Sequence, residues 1–262
     1  TYDDGTMHFH NLPFELWTTL FMFLAGGSFS LYYRAYVKGP AVILRDTEFR
    51  TYLGIVLTAM LLIALNLILS MGMDGDMAAR VAVFQVTSLS TTGFVSADFE
   101  TWPTFSKMVL LLLMVIGGCA GSTASGIKVA RLILLVRNAR AVVLQKLNPN
   151  RVVDITLTGA HVDAAMLLRV GTFFFLYLAV IFVTAFLLAM DGLLPFDAVA
   201  VAITTIGNIG PAFGIVSATS TYAPLSDFSK AILCLTMLLG RLEIFTLLIL
   251  LQPSFWRRTH RW

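Results

Sequence analysis

Five stretches of this chain run without a charged residue: 16–33, 51–73, 108–127, 170–190 and 198–226. A helix needs about 20 consecutive apolar residues to cross a bilayer. Inside hydrocarbon each backbone amide and carbonyl must be satisfied by the protein itself, so helices are the elements such windows can form. Only 13% of the residues are charged and 58% are hydrophobic. A soluble domain carries roughly twice that share of charge. The fold class these features predict is an all-α polytopic membrane protein.

The charges set the orientation. Arg34, Lys38, Arg45 and Arg50 follow the first window. Lys128, Arg131, Arg137, Arg140, Lys146, Arg151 and Arg169 surround the next alternate connection, and Arg257, Arg258 and Arg261 lie near the last residue. The opposite connections carry Asp74, Asp76, Asp98, Glu100, Asp191, Asp197 and Asp227, with few cations. Basic connections stay in the cytoplasm, which predicts a multi-pass protein of the cell membrane with its last residues inside. Topology accounts for these basic residues, so no nucleic-acid partner is expected.

Residues 14–36 read as a descending helix, with Trp17, Tyr32 and Tyr33 as interfacial anchors, and 51–71 as its return. Residues 78–90 look helical, yet Arg80 and Asp98 flank too short an apolar run to cross, and both fall on the outer side. That segment must enter and leave on one face, which is tolerated only where protein or water lines it. The chain descends again from Met108, ascends over 169–190, makes a second short apolar piece at 195–205 and descends over 228–252. The second half repeats the first. Ser-Thr-Thr-Gly-Phe at 90–94 answers Thr-Thr-Ile-Gly-Asn at 204–208, and each is followed by a proline and then Phe-Ser-Lys, at 105–107 and 228–230.

A helix ending at mid-membrane directs about half a negative charge and its free carbonyls at whatever lies beyond it. Aimed into a cavity, that end favours a cation, and the following carbonyls can replace its hydration shell. Gly93 and Gly207 read as the residues that take the strained turns. Thr91, Thr92, Thr204 and Thr205 offer hydroxyls, and Asn208 a cross-link. The competing reading is a broken helix packed on small-residue faces.

Two further features stand out. Residues 117–126, Gly-Gly-Cys-Ala-Gly-Ser-Thr-Ala-Ser-Gly, interrupt a span with poor helix formers. They read either as close helix packing or as an unwound, movable segment below the filter. Arg241 lies about ten residues past Lys230, near the bilayer centre at ~1.5 Å per residue, where an arginine is costly and functional by default. Glu243 does not share its helix face, so its partner must be a carbonyl of the interrupted helix or water. It reads as an electrostatic barrier or as a structural cap. Lys128 reads as a snorkelling cytoplasmic anchor and Asn66 as an interhelical hydrogen bond. Cys119 and Cys234 read as buried free thiols. His8, His10, His161 and His260 are scattered, and no nucleophilic triad or paired-carboxylate arrangement stands at membrane depth. The chain does not read as an enzyme.

These motifs together resemble the Trk/Ktr/HKT superfamily of potassium transporters, in its bacterial TrkH form. Thr-Thr-Gly-Phe at 91–94 is similar to that family's third filter and the stretch at 204–214 to its fourth. Residues 117–128 resemble its intramembrane gating loop, 240–257 its C-terminal signature, and Arg-Asp-Thr-Glu-Phe-Arg-Thr-Tyr-Leu-Gly at 45–54 its linker into repeat three. To the all-α class, the short segments, the repeated motifs and this resemblance add repeated helix–re-entrant pore loop–helix units around a central pore. The resemblance implies three parts: the last helix of repeat two with a linker (1–50), repeat three with a broken second helix (51–150), and repeat four with a cytoplasmic end (151–262). It implies K+ uptake across the bacterial inner membrane with K+ as cargo and no cofactor in the chain. The implied filter is Thr91, Thr92, Gly93, Phe94, Thr205, Ile206, Gly207 and Asn208. The implied gate is Gly117, Gly118, Gly121, Ser122, Thr123, Gly126, Lys128 and Arg241. A homodimer and a cytosolic nucleotide-binding regulatory subunit are implied as partners. Because residue 1 is Thr and two filters are absent, the chain also reads as part of a longer one, and the alternative is a non-conducting subunit that only assembles with partners.

Overall fold

In the computed structural model, residues 11–148 and 153–256 are described. Arg151, the terminal Arg257, Arg258 and Arg261, and His8, His10 and His260 lie outside them.

Helix α1 (Leu12–Gly26) starts with a proline in its first turn, where the missing amide costs nothing, and stops at a Gly-Gly-Ser run. The chain then turns by 91° into α2 (Phe29–Lys38). The single helix expected over 14–36 is therefore two. The bend survives because α1 does not leave its last carbonyls bare: Ala25 and Gly26 accept from the amides of Thr123 and Cys119, at 3.3 and 2.8 Å. A short helix, α3 (Ala41–Arg45), leads to α4 (Thr47–Met71). Asp46 caps α4 by accepting from the Phe49 amide at 2.9 Å.

Helix α5 (Gly75–Thr91) is the short inserted piece, and residues 84–91 are all buried, with α1, α4 and α6 packed against the helix. Burial in protein is what lets a helix end within the apolar layer. Helix α6 (Thr104–Ile116) is followed by an irregular segment, 117–128, and by α7 (Val129–Leu147). A two-residue hairpin, β1 (Thr156–Leu157) against β2 (Ala160–His161), pairs Thr156 with His161. The second unit is α8 (Ala164–Ala189), the short α9 (Pro195–Ile206), α10 (Asp227–Arg241), α11 (Ile244–Leu251) and α12 (Pro253–Trp256). Helices α4 and α8 are long and apolar enough to span a membrane, and α1/α2 and α10/α11 qualify as bent pairs. The α10/α11 bend is 109°, so the run expected over 228–252 is also broken.

The two units share one core. Phe99 and Phe213, from the loops that follow α5 and α9, meet edge to face at 5.3 Å, and Tyr52, Ile63, Phe84, Leu110, Tyr177 and Leu188 fill the interior. Where lipid competes for apolar contacts, polar pairs help hold helices together. Asn66 accepts from the Ser106 hydroxyl at 2.8 Å, joining α4 to α6 as expected, and Thr184 meets Thr236 at 3.0 Å across α8 and α10. Both cysteines are free, Cys119 buried but Cys234 exposed.

Candidate ion-binding and gating site

Helices α5 and α9 end at equivalent points of the two units, but their turns differ. After Thr91, the amides of Thr92 and Gly93 both return to the Ser88 carbonyl, at 2.7 and 2.9 Å. Gly93 then takes φ 89°, a left-handed conformation that costs an L side chain dearly. A Cβ there would also overlap the Ile209 carbonyl of the other unit's turn. Gly207 behaves otherwise: its φ is −74° and ψ −11°, still helical. The left-handed residues in the second turn are Asn208, at φ 52°, and Gly210, at φ 115°. The expectation that Gly207 absorbs the strain is thus corrected to these two positions. Asparagine tolerates the region, and its side-chain amide donates to the Met237 carbonyl at 3.1 Å.

The hydroxyls of these turns mostly hold the protein together. Thr205 Oγ1 donates to the Val201 carbonyl at 2.5 Å, inside its own helix. Thr204 Oγ1 donates to the Pro211 carbonyl at 2.7 Å and accepts from the Gly210 amide at 3.1 Å, closing the loop after α9. Ser88 Oγ does the matching work in the first unit by donating to the Phe94 carbonyl at 2.5 Å. Thr91 and Thr92 bond to each other at 2.9 Å.

Both turns open on one cavity of about 520 Å³. Thr91, Thr92, Phe94 and Asn208 line it, Thr123, Ser125 and Arg241 face it, and Thr18, Met22 and Ala25 of α1 close one side. Gly93, Ile206 and Gly207 support the wall without lining it, and Thr205 faces a separate, apolar cavity of about 250 Å³ with Tyr222 and Met237. Among the described residues no cluster of His, Cys, Asp or Glu could hold a metal ion.

Segment 117–128 crosses beneath that cavity. Its two ends meet: the Ile127 and Lys128 amides donate to the Val115 and Ile116 carbonyls at 3.3 and 2.9 Å, and Val129 donates to the Gly118 carbonyl at 3.0 Å. The helical bonding of α6 passes into α7 as if the loop were spliced out. The loop itself, unwound as expected, borrows its partners: α1 carbonyls for Cys119 and Thr123, and the Gly121 carbonyl for the Phe29 amide at 3.3 Å. Arg241 Nη1 donates to the Thr123 carbonyl at 2.6 Å, one of the two partners expected for it.

A family model described as TrkH, cation transport protein, matches residues 1–258. The chain belongs to this family. It is 36% identical over 266 residues to the Trk system potassium uptake protein TrkH of Vibrio parahaemolyticus and 34% over 261 residues to that of Salmonella typhimurium. Those alignments cover 98% of this chain and 54% and 53% of the relatives. The crystal structure of the potassium transporter TrkH from Vibrio parahaemolyticus superposes with a TM-score of 0.89 at 33% identity, over 98% of this chain and 55% of that one. The chain therefore spans about half the length of the relatives it matches. It is an all-α membrane protein of a transporter family, not of an enzyme family.

Two carboxylates in this TrkH-family chain escaped sequence reasoning. Glu48 Oε1 accepts from the amides of Ala120 and Ala130, at 2.5 and 3.1 Å, so one side chain in the first turn of α4 grips the loop and the free end of α7. Its place in Asp-Thr-Glu, beside the Asp46 cap, reads locally as dipole complementarity and gives no hint of the loop. Glu243 receives Lys128 at 3.2 Å and Arg131 at 2.9 Å. Lys128, expected as a snorkelling anchor, is thus ion-paired across to the α10/α11 bend.

Proposed function

We propose that this chain is the conducting, gated half of a potassium uptake protein. The observation that carries the reading is the 520 Å³ cavity, where two buried half-helix ends from equivalent units meet a loop carbonyl and Arg241. Helix ends favour a cation, and the backbone of Thr92 and Asn208, which line the cavity, supplies oxygens for a dehydrated one. The relatives' names make potassium the ion. In this reading, Thr91, Thr92, Gly93, Phe94, Thr205, Ile206, Gly207 and Asn208 build the filter, Thr205 and Ile206 from behind it. Gly117, Gly118, Gly121, Ser122, Thr123, Gly126, Lys128 and Arg241 form the gate, and the guanidinium is a fixed positive barrier below the filter.

The parts are the last helix of repeat two with its linker (1–50), repeat three (51–150) and repeat four (151–262), in a bacterial inner membrane with the last residues cytoplasmic. A homodimer with a cytosolic nucleotide-binding regulatory subunit is the assembly we expect from the family. The cavity is walled by two units and α1 alone, and this favours a second reading for the 262-residue chain taken by itself, a non-conducting piece.

Potassium flux into vesicles separates the cases. In the full-length protein, Arg241→Ala should raise flux several-fold at normal insertion. Unchanged or reduced flux removes the barrier role. Flux through the 262-residue chain alone would remove the second reading.

A further inference from the structure

The loop and the α10/α11 bend are joined by more than Arg241. Among the described non-glycine residues only Lys128, Thr158, Asn208 and Glu243 have left-handed backbones. Two of these four, Lys128 at the end of the loop and Glu243 at the bend, are ion-paired to each other across 115 residues of sequence. Unfavourable backbone of this kind persists where surrounding contacts over-determine it, and it gathers at switches.

The surroundings form a closed ring. Arg131 places one arm on Glu243 and lies over the Phe173 ring of α8 at 3.9 Å, and Phe173 in turn packs against Phe245 of α11, two residues beyond Glu243, at 6.2 Å. The loop face carrying Ser122, Thr123 and Gly126 and the bend carrying Arg241 and Glu243 look at each other across a cavity of about 280 Å³, room into which the loop can move. Arg241 and Glu243 therefore hold two separate points of the loop: one its middle, at the Thr123 carbonyl, the other its last residue.

We propose that Glu243 is a positioning residue of the gate, a latch that binds Lys128 and Arg131 so that the two broken helices release the loop together. This rests on the gating reading above. If Glu243 let go, the left-handed backbone of Lys128 would be held by its backbone hydrogen bonds alone, without the side-chain tether. The hinge at the loop's exit would then swing, and the Thr123 carbonyl would leave the pathway. The link is electrostatic and two-sided, so removing either side should release the same motion once.

The test uses the full-length protein in vesicles, with Cys234→Ser and Ser122→Cys introduced so that a thiol reagent reports loop exposure. Glu243→Gln should raise both the labelling rate and potassium flux several-fold. Lys128→Gln should do the same, and the double variant should not exceed the larger single effect, because one link is being cut twice. A side chain that merely stabilised the fold would give additive losses of flux. If Arg241→Ala raises flux while Glu243→Gln changes neither readout, the latch is wrong and the gate stands. If neither variant changes flux or labelling, the gate reading falls with it. Should Glu243→Gln fail to insert, Lys128→Gln decides alone: a rise supports the latch and no rise overturns it.

Discussion

The two units of this chain interrupt their second helix in opposite ways. In the first, α6 and α7 are separated by a long loop of small residues, whereas in the second, α10 and α11 are separated by a bend at Leu242 and Glu243 alone. The long break is poor in side chains and takes its partners from elsewhere: α1 carbonyls, Glu48 and Arg241. The short break is rich in charge and supplies partners. In the proposed gating reading, the long break is the moving part and the short one its holder. A duplicated unit need not keep its function when its backbone is rewritten at one point.

The turns after α5 and α9 carry the same lesson, and mutation sharpens it. The largest effect should come from Gly93→Ala, which puts a Cβ on left-handed backbone and against the Ile209 carbonyl. At ~1–3 kcal/mol for such strain alone, potassium flux should fall by about tenfold or more. Gly207→Ala, at the equivalent but helical position, should cost about twofold, since the backbone there accepts a side chain and the new methyl meets the flexible end of Ile209 at 3.0 Å and the Ile203 carbonyl at 3.1 Å. Equal losses at both sites would break the comparison.

Glu48→Ala should act on the long break only. It leaves the Ala120 and Ala130 amides without their carboxylate, at roughly 1–3 kcal/mol for an unpaired buried donor. Hydrogen exchange at those two amides should quicken while the α10/α11 bend stays protected. Arg241→Ala and the Glu243 variants then ask whether the short break releases the same loop.

The smallest effect belongs to the second unit's outer connection. The Asp191 carboxylate accepts from Ser226 and from the Ser229 hydroxyl at 2.8 Å, tying the end of α8 to the start of α10, and these bonds hold its pKa below the ordinary aspartate value. A depressed pKa means that the ionised form is the one the fold prefers. Its contribution is present above the unfolded-state pKa and is lost as pH falls through the folded one. Asp191→Asn should lower the unfolding temperature in detergent by about a degree at neutral pH. The difference should vanish in acid, and a difference that persists there would assign it to packing.

Much of the frame was legible in the chain. Pro195 at the first position of α9 and Gly207 after it bound that helix within a residue of the expected 195–205. The doubled Thr-Gly motif gave both half-helix ends, and the small-residue run gave the unwound segment. The breaks at Gly27 and at Leu242 were not legible. Each sits in a hydropathy run that reads as one span, and the second has only Gly240, still inside α10, near it. Glu243 is visible as a residue off the face of Arg241, but its partners lie more than a hundred residues away.

Apolar windows, alternating charge and repeated turn residues follow from local chemistry in a medium without water, and these the sequence by itself determined: class, number of units and where each half-helix stops. Which side chain answers a freed carbonyl or an uncapped amide is a matter of what stands within about 3 Å after folding. Only the tertiary structure could therefore assign Glu48 to the loop, Arg241 to Thr123 and Glu243 to Lys128, because a hydrogen bond acts over one atom's reach and a sequence records no such distance.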